Sequence, residues 1–236
     1  MNTDFSQLGF KIELTKDGSP TLRVSEFDET MHHSGGAAKE TNYIYFQPIQ
    51  RALALMPEAS TCVVGLGLGY IEIAWALAKP DYNATLSSFE INPALRKCFR
   101  DWLGSDDIRI YDEITLCLHP GSNIKKIKER LSTNFSEYEI HSDIRSATGN
   151  WNIICYDAFS RKISSELWSE EFLDYFFKNC CAPDCVFTSY ACTANLRRVL
   201  EANGFELFVR AGFSGKKNST IALRGIFTSD SVFRTF

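Results

Sequence analysis

Short apolar runs alternate along this chain with longer segments in which apolar residues recur every three or four positions. The short runs, rich in β-branched and aromatic residues, predict strands, and the longer segments predict amphipathic helices. The predicted strands are residues 61–65, 85–89, 151–156, 185–190, 205–210 and 220–224. The predicted helices are residues 37–56, 71–78, 93–103, 123–131, 167–179 and 194–203. This alternation predicts a parallel, doubly wound sheet whose ligand lies beyond the carboxyl ends of its strands.

Three segments fall outside this alternation. Residues 10–27 predict two short strands around Asp17-Gly18-Ser19-Pro20, because these four residue types favour a turn. Residues 108–120 predict a strand, a turn and a second strand, and the polar residues 132–150 predict a surface loop. We therefore divide the chain into an N-terminal hairpin and helix extension, residues 1–60, and a main domain, residues 61–236.

The most informative pattern is a glycine-rich loop between the first strand of the main domain and the helix after it. Gly65, Gly67 and Gly69 stand where the backbone must turn sharply and approach a ligand closely. The dinucleotide fingerprint G-x-G-x-x-G needs another glycine at position 70, which here is Tyr70. Glu90 ends the second strand, where nucleoside-binding α/β domains have the carboxylate that accepts the ribose hydroxyls. This pattern is typical of S-adenosylmethionine-dependent methyltransferases; an NAD site and a tight turn without a ligand are the alternatives.

Charge and cysteine usage set limits on the partners. The 236 residues carry a formal net charge of −4, which argues against a surface covered with basic residues for binding nucleic acid. Residues 191–236 nevertheless contain seven basic and three acidic residues, so a local anionic partner suits this end of the chain. The eight cysteines lack the spacing of a disulfide framework or a zinc site, which favours a cytoplasmic location and no metal. Neither a transmembrane helix nor a secretory signal is predicted, so we expect no membrane partner.

Four further stretches, taken in order, narrow the class. They are residues 17–20 with 27–45, residues 89–93, residues 156–168 and residues 188–217. Together they resemble the methyltransferase domain of the bacterial tRNA wobble-uridine enzymes that complete 5-methylaminomethyl-2-thiouridine, over roughly residues 14–225. The resemblance implies a Rossmann-type class I methyltransferase with a mostly parallel seven-stranded sheet and a closing antiparallel strand, preceded by the small N-terminal hairpin and helix extension.

The resemblance also implies roles for individual residues. The loop residues Gly65, Gly67 and Gly69 would hold the methionine part of the cofactor S-adenosylmethionine, and Glu90 would hold its ribose. Asp157, which follows the strand at 151–156, would face both the methyl group and the acceptor amine. Its reference pKa near 3.9 makes it a poor base for an ammonium, so we expect it to orient the amine while solvent takes the proton. A strand-end aspartate that only caps the next loop is the alternative.

The chain departs from the family at three places. Ser122 stands where the family has an aspartate, which alters the expected adenine contact. Residues 160–164 replace a proline-containing stretch of the acceptor pocket, and residues 214–215 replace a Gly-Arg pair. Four cations remain as candidates for binding tRNA phosphates, namely Arg197, Arg198, Lys216 and Lys217.

The expected activity is methylation of the aminomethyl group on a tRNA wobble uridine, with the anticodon loop as the binding partner. Bifunctional family members carry a flavin oxidase domain beyond the region that this chain resembles, so we expect a separate enzyme to supply the free amine. A methyltransferase for a small-molecule or protein amine, and a non-catalytic adenosylmethionine-binding protein, are the alternatives. His32 and His33 fit a loop on the substrate side or a solvated turn, and a metal or acid/base role is the further alternative.

Overall fold

A small antiparallel sheet begins the chain. The computed structural model describes residues 5–78, 83–105, 108–137, 140–215, 218–231 and 233. The small sheet has the order β1-β2-β3, with β1 at Phe10–Leu14, β2 at Pro20–Val24 and β3 at Glu29–Thr30. Strands β1 and β2 are antiparallel around the predicted turn, so the hairpin predicted from the sequence is confirmed.

The main sheet has the strand order β5-β4-β6-β7-β9-β8 in the described residues. Its strands are β4 (Ser60–Val64), β5 (Thr85–Phe89), β6 (Trp151–Tyr156), β7 (Cys181–Ser189), β8 (Glu206–Ala211) and β9 (Asn218–Arg224). Neighbouring strands from β5 to β7 are parallel. Strand β9 is antiparallel to both β7 and β8, which confirms the predicted closing antiparallel strand.

Helices cover both faces of the main sheet. Alternate residues of a strand point to opposite faces, and both faces of the central strands carry buried apolar side chains. They are α1 (Ala37–Thr41), α2 (Gln47–Leu55), α3 (Tyr70–Ala78), α4 (Pro93–Gly104), α5 (Arg109–Leu118), α6 (Ile124–Glu137), α7 (Glu170–Cys180) and α8 (Ala194–Ala202). In β6, Ile153 belongs to the core beneath α3 and α4, and the next residue, Ile154, belongs to the core beneath α7 and α8. None of the helices in the described ranges is long and apolar enough to cross a membrane.

The prediction of two strands at residues 108–120 was wrong. This segment is the helix α5, whose buried face consists of Ile110, Tyr111, Ile114 and Thr115. These positions recur with the spacing of a helix, and packing on α3 and α4 selects that spacing over the local alternation. At the edge of β5, where a further strand was expected, His141 alone pairs with Phe89 in a single parallel bridge. The main sheet therefore has six strands in the described residues, not the predicted seven.

The turn between β1 and β2 caps the start of α1. The hydroxyls of Thr15 and Ser19 accept hydrogen bonds from the backbone N–H groups of Ala37 and Ala38, at 3.1 and 3.0 Å. One carboxylate oxygen of Asp17 accepts from the N–H of Lys39 at 3.1 Å. Three first-turn donors of the helix are thus satisfied by side chains about twenty residues earlier in the chain. This contact joins the hairpin to the helix of the N-terminal extension.

Candidate active site

The register of the main sheet brings three strand ends together. Val64, the last residue of β4, pairs with Phe89 at the end of β5 and with Tyr156 at the end of β6. The residues that follow these strands are the predicted site residues Gly65, Glu90 and Asp157, and all three line one cavity of about 690 Å³. The strand order changes direction at β4, and ligands of open α/β sheets bind at such a switch point. The size of the cavity suits a cofactor with part of its substrate.

The glycine loop has the backbone that its sequence predicts. Gly65 and Gly69 have φ values of 97° and 69°, in the left-handed region that favours glycine. A Cβ atom on Gly65 would lie 2.6 Å from the carbonyl oxygen of Asp157, so only glycine lets the ends of β4 and β6 approach this closely. Gly69 is the residue before α3, and a Cβ atom on it would overlap the ring of Phe99 on α4. Gly67, between them, lines the cavity.

Glu90 is held under this loop by backbone donors. Its carboxylate accepts hydrogen bonds from the N–H groups of Gly67 at 3.0 Å and Asn92 at 2.8 Å. The Asn92 side chain in turn caps α4, by accepting from the N–H of Ala94 at 2.9 Å. Burial raises the pKa of Glu90, and the two backbone hydrogen bonds oppose that rise. The result is a fixed acidic acceptor that faces the cavity and suits the hydroxyls of a ribose.

The wall beside Glu90 comes from a segment whose role the sequence did not reveal. The backbone of His141 exchanges 2.9 Å hydrogen bonds with Ser88 and Glu90, so the chain follows the edge of β5 for one residue. The next residues, 142–145, line the cavity together with Ile91, whose side chain is 72% exposed. The expectation of a plain surface loop at 132–150 missed this wall, because one bridge leaves no periodic pattern in the sequence.

Ser122, the residue predicted to replace the adenine contact, does not line this cavity. Its hydroxyl donates to the carbonyl oxygen of His119 at 2.8 Å in an exposed turn before α6. The structure therefore brings Gly65, Gly67, Glu90 and Asp157 together at one cavity, whereas Gly69 lies against Phe99 without lining the cavity and Ser122 lies apart from it.

Asp157 follows β6, which β4 separates from β5 in the sheet, and is held by two neighbouring segments. Its backbone N–H donates to the carbonyl oxygen of Val64 at 2.8 Å. The hydroxyl of Tyr45, from the N-terminal extension, donates to Asp157 Oδ1 at 2.5 Å. Burial and the charge of Asp157 raise the pKa of Tyr45 well above its ordinary value, so Tyr45 keeps its proton. Tyr190, after β7, donates to the carbonyl oxygen of Ala158 at 2.9 Å and lines the cavity as well.

The N-terminal extension closes the cavity on this side. Residues 29–34 and Glu40 line it, including both histidines considered in the sequence. His32 Nδ1 lies 3.0 Å from the hydroxyl of Thr21, and His33 Nδ1 accepts from the N–H of Gly35 at 3.0 Å. Both histidines therefore lie in a loop that borders the cavity. The described residues contain no cluster of His, Cys, Asp or Glu able to hold a metal ion.

The comparison with protein families bears on this arrangement directly. Residues 109–225 match the sequence model of a family described as S-adenosyl-L-methionine-dependent methyltransferase. The chain is an S-adenosylmethionine-dependent methyltransferase. The matched region includes Asp157, and the glycine loop and Glu90 lie before it and complete the cavity. S-adenosylmethionine is the cofactor of this methyltransferase.

Two known proteins are similar to the methyltransferase over most of its length. The crystal structure of MnmC2 from Aquifex aeolicus superposes with a TM-score of 0.63 at 20% sequence identity, covering 91% of this chain and 70% of that one. This match confirms the fold. An uncharacterised protein from Methanocaldococcus jannaschii is 24% identical over 212 residues, 89% of this chain. The chain spans 58% of the length of that relative.

Arg197 and Arg198, two of the four predicted phosphate-binding residues of the methyltransferase, do not line the cavity. Arg197 and Arg198 are exposed on α8, and Arg198 forms an ion pair with Glu170 at the start of α7. Lys216 and Lys217 lie outside the described residues. The cavity-lining residues that the sequence did not single out include Tyr45, Tyr190, Glu29 and Glu40. They fall within the stretches 27–45 and 188–217 that carry the family resemblance, but only contacts between distant segments bring them to the cavity.

Proposed function

We propose that this methyltransferase transfers a methyl group to an amine nitrogen, and that the amine is the aminomethyl group of a tRNA wobble uridine. The observation that carries the proposal is the acidic acceptor side of the cavity, which Glu29, Glu40 and Asp157 line. Burial first, and then the charges of these three carboxylates, raise the pKa of Tyr190. Such surroundings stabilise a cationic amine and repel a carboxylate, phosphate or phenolate acceptor.

The cofactor fits the other side of the cavity in this proposal. Gly65 and Gly67 approach the methionine part through their backbone, and Glu90 accepts the ribose hydroxyls. The exposed Ile91 side chain offers an apolar surface to the adenine ring, which the segment at 142–145 borders. This assignment gives the 142–145 segment the adenine contact that the resemblance had assigned to Ser122.

The cofactor supplies an electrophilic methyl group, and the protein has to align the acceptor with it. Asp157 accepts a hydrogen bond from the amine and points the nitrogen lone pair toward the methyl group. Alignment of this kind contributes most of the rate in a direct displacement. A carboxylate with a reference pKa near 3.9 is a weak base for an ammonium, so the proton leaves to solvent. Glu29 and Glu40 stabilise the cationic forms of substrate and product.

Three observations support tRNA as the carrier of this amine. The ordered motifs resemble the wobble-uridine enzymes, MnmC2 shares the fold, and the C-terminal region is net positive. A wobble base lies in a single-stranded anticodon loop, so it is splayed into a pocket at modest cost. A separate enzyme supplies the free aminomethyl group, and the reaction takes place in the cytoplasm.

A small-molecule or protein amine is the second candidate, and the charge of the cavity favours it in one respect. Six carboxylates line the cavity, and the one Lys or Arg in the described lining is Arg145. Arg145 is already paired with Asp143 at 2.7 Å and with Glu166 at 3.0 Å. The cavity itself therefore attracts a cation more strongly than it attracts a phosphate.

Mass spectrometry of wobble nucleosides from strains with and without this protein tests the proposal. We expect the strain without it to accumulate 5-aminomethyl-2-thiouridine and to lose the methylated nucleoside. The wild-type gene should restore the methylated nucleoside, and a gene encoding Asp157→Asn should not. Unchanged nucleosides, together with methylation of another amine in vitro, would favour the second candidate. Cofactor binding without transfer to any amine would indicate a non-catalytic adenosylmethionine-binding protein.

A further inference from the structure

Tyr45 reaches Asp157 from a segment with an unusual backbone. Between α1 and α2 the helix widens into a π-helical turn at Asn42–Phe46, and the N–H of Gln47 donates to the carbonyl oxygen of Asn42. Single π turns are uncommon in proteins, and those that do occur are often found at functional sites. This one carries Tyr45, whose side chain is 2% exposed and whose hydroxyl lies 2.5 Å from Asp157 Oδ1.

The π turn is fastened to the main sheet through its carbonyl groups. The hydroxyl of Thr188, on β7, donates to the carbonyl oxygen of Ile44 at 2.6 Å. The guanidinium of Arg210, on β8, donates to the carbonyl oxygen of Tyr43 and lies 3.6 Å from the centre of its ring. Two strands of the methyltransferase sheet thus fix the turn that points Tyr45 at Asp157.

We propose that Tyr45 is a positioning residue for methyl transfer, which orients the Asp157 carboxylate toward the acceptor amine. The N-terminal segment would then complete the active site instead of only covering it. This inference rests on the proposed role of Asp157 in amine methylation. It assigns a function to a residue that lies 112 positions before Asp157 in the chain.

The chemistry of the contact supports an orienting role. A hydroxyl that donates to a carboxylate forms a short, charge-assisted hydrogen bond, which holds the carboxylate in one rotamer. The same bond favours the charged form of Asp157, because donors stabilise a carboxylate over the neutral acid. Since burial keeps Tyr45 protonated, it acts as a donor and not as a base.

The test compares Tyr45→Phe with the matched control Tyr43→Phe. Each variant removes one hydroxyl from the π turn and keeps the aromatic ring. The hydroxyl of Tyr43 donates to the carbonyl oxygen of Ala211 at 2.9 Å and has no contact with Asp157 in the structure. Titration of carboxyl-¹³C-labelled aspartate by NMR, with the Asp157 signal assigned through Asp157→Asn, reports on the carboxylate itself. Turnover with undermethylated tRNA and calorimetry with the cofactor complete the comparison.

Asp157 also has other titratable neighbours. They are Tyr190 after β7, Glu72 on α3 and Cys155 on β6. Glu29 and Glu40 of the extension line the same cavity. Burial raises the pKa of Glu72 to about 8, so it titrates within the experimental range. All of these groups are present in both variants, so a difference between the variants isolates the Tyr45 hydroxyl.

We expect Asp157 to titrate at least about one pH unit higher in Tyr45→Phe, and to titrate as in the wild type in Tyr43→Phe. Turnover should fall about tenfold in Tyr45→Phe alone, with cofactor affinity unchanged in both variants. An identical Asp157 titration in the wild type and Tyr45→Phe, or an equal shift in Tyr43→Phe, overturns the inference. So does unchanged turnover of Tyr45→Phe on an accepted substrate. If the wild type fails to methylate tRNA, the proposed substrate fails, while the NMR titration still decides whether Tyr45 controls Asp157.

Discussion

At the scale of single residues, the proposed cofactor site depends on Glu90. Its carboxylate is the buried acid at the end of β5, and backbone N–H groups hold it in place. Replacing it with alanine in Glu90→Ala removes the acceptor for the ribose hydroxyls. We expect cofactor affinity to fall by about 1–3 kcal/mol, the typical value of hydrogen bonds to a charged group. Isothermal calorimetry with S-adenosylmethionine and S-adenosylhomocysteine measures the change.

Ser122→Ala is the matched control for this variant. The resemblance assigned Ser122 to the cofactor, but the residue lies in an exposed turn and bonds to His119. We expect its replacement to leave cofactor affinity unchanged. If Ser122→Ala lost as much cofactor affinity as Glu90→Ala, the result would indicate that Ser122, and not the segment at 142–145, contacts the adenine.

At the scale of elements, the sequence predicted strands that turn-forming residues delimit. The segments at 85–89 and 151–156 have the predicted bounds: both contain strand-favouring residues, Asn83 stands before the first, and Gly149 and Asn150 stand before the second. Residues 108–120 were misassigned because Ile110 and Ile114 fit a short alternation as well as a helical face. Only the packing of α5 against its neighbours selects the helix.

The residues of the candidate site likewise fall into those that a local motif predicts and those that only tertiary packing brings together. Gly65 and Glu90 were predictable because the loop after a strand is a local motif with a physical requirement for those residue types. The contact of Tyr45 with Asp157 was not predictable, since it depends on how the N-terminal helix packs against the end of β6. His141 and the wall after it were missed for a similar reason.

The cap of α1 depends on Asp17, whose carboxylate accepts a hydrogen bond from the N–H of Lys39. Although burial opposes the shift, hydrogen bonds from Ser19 and Thr15 lower the pKa of Asp17, so it is charged at neutral pH. In Asp17→Asn, an amide nitrogen replaces one of the two acceptor oxygens. We expect the free energy of unfolding at pH 7 to fall by about 1–2 kcal/mol. The difference should shrink as the pH falls through the lowered pKa of Asp17, and urea unfolding at several pH values measures it.

Asp28→Asn is the matched control, because it removes one carboxylate charge from the turn between β2 and β3 of the same small sheet. The side chain of Asp28 is 89% exposed and pairs with Arg23 at the surface, and asparagine suits its positive φ of 51°. We expect a change within about 0.5 kcal/mol. Equal losses in the two variants would show that charge, and not the cap of α1, accounts for the effect.

At the scale of the whole molecule, the proposed substrate raises a problem of charge. The chain has a net charge of −4, and six carboxylates line its cavity, yet the proposed substrate is a polyanion. The two requirements are compatible if the base enters the acidic cavity while the phosphates are met outside it. Arg197 and Arg198 of the C-terminal region suit that second task, because they are exposed on α8 and do not line the cavity.

This division of charge predicts which cations bind tRNA. Lys216→Ala combined with Lys217→Ala should weaken tRNA binding and reduce the slope of log K against log salt by up to about two phosphate contacts. Arg197→Ala should weaken binding more than Arg198→Ala, because Arg198 is paired with Glu170. Lys125→Ala is the matched control, since Lys125 is exposed on α6 and does not line the cavity. Filter binding across a salt series measures the slopes. Binding that is absent at low salt, or equally sensitive to Lys125→Ala, would favour an amine that is not attached to tRNA, because methylation of such an amine needs only the acidic cavity.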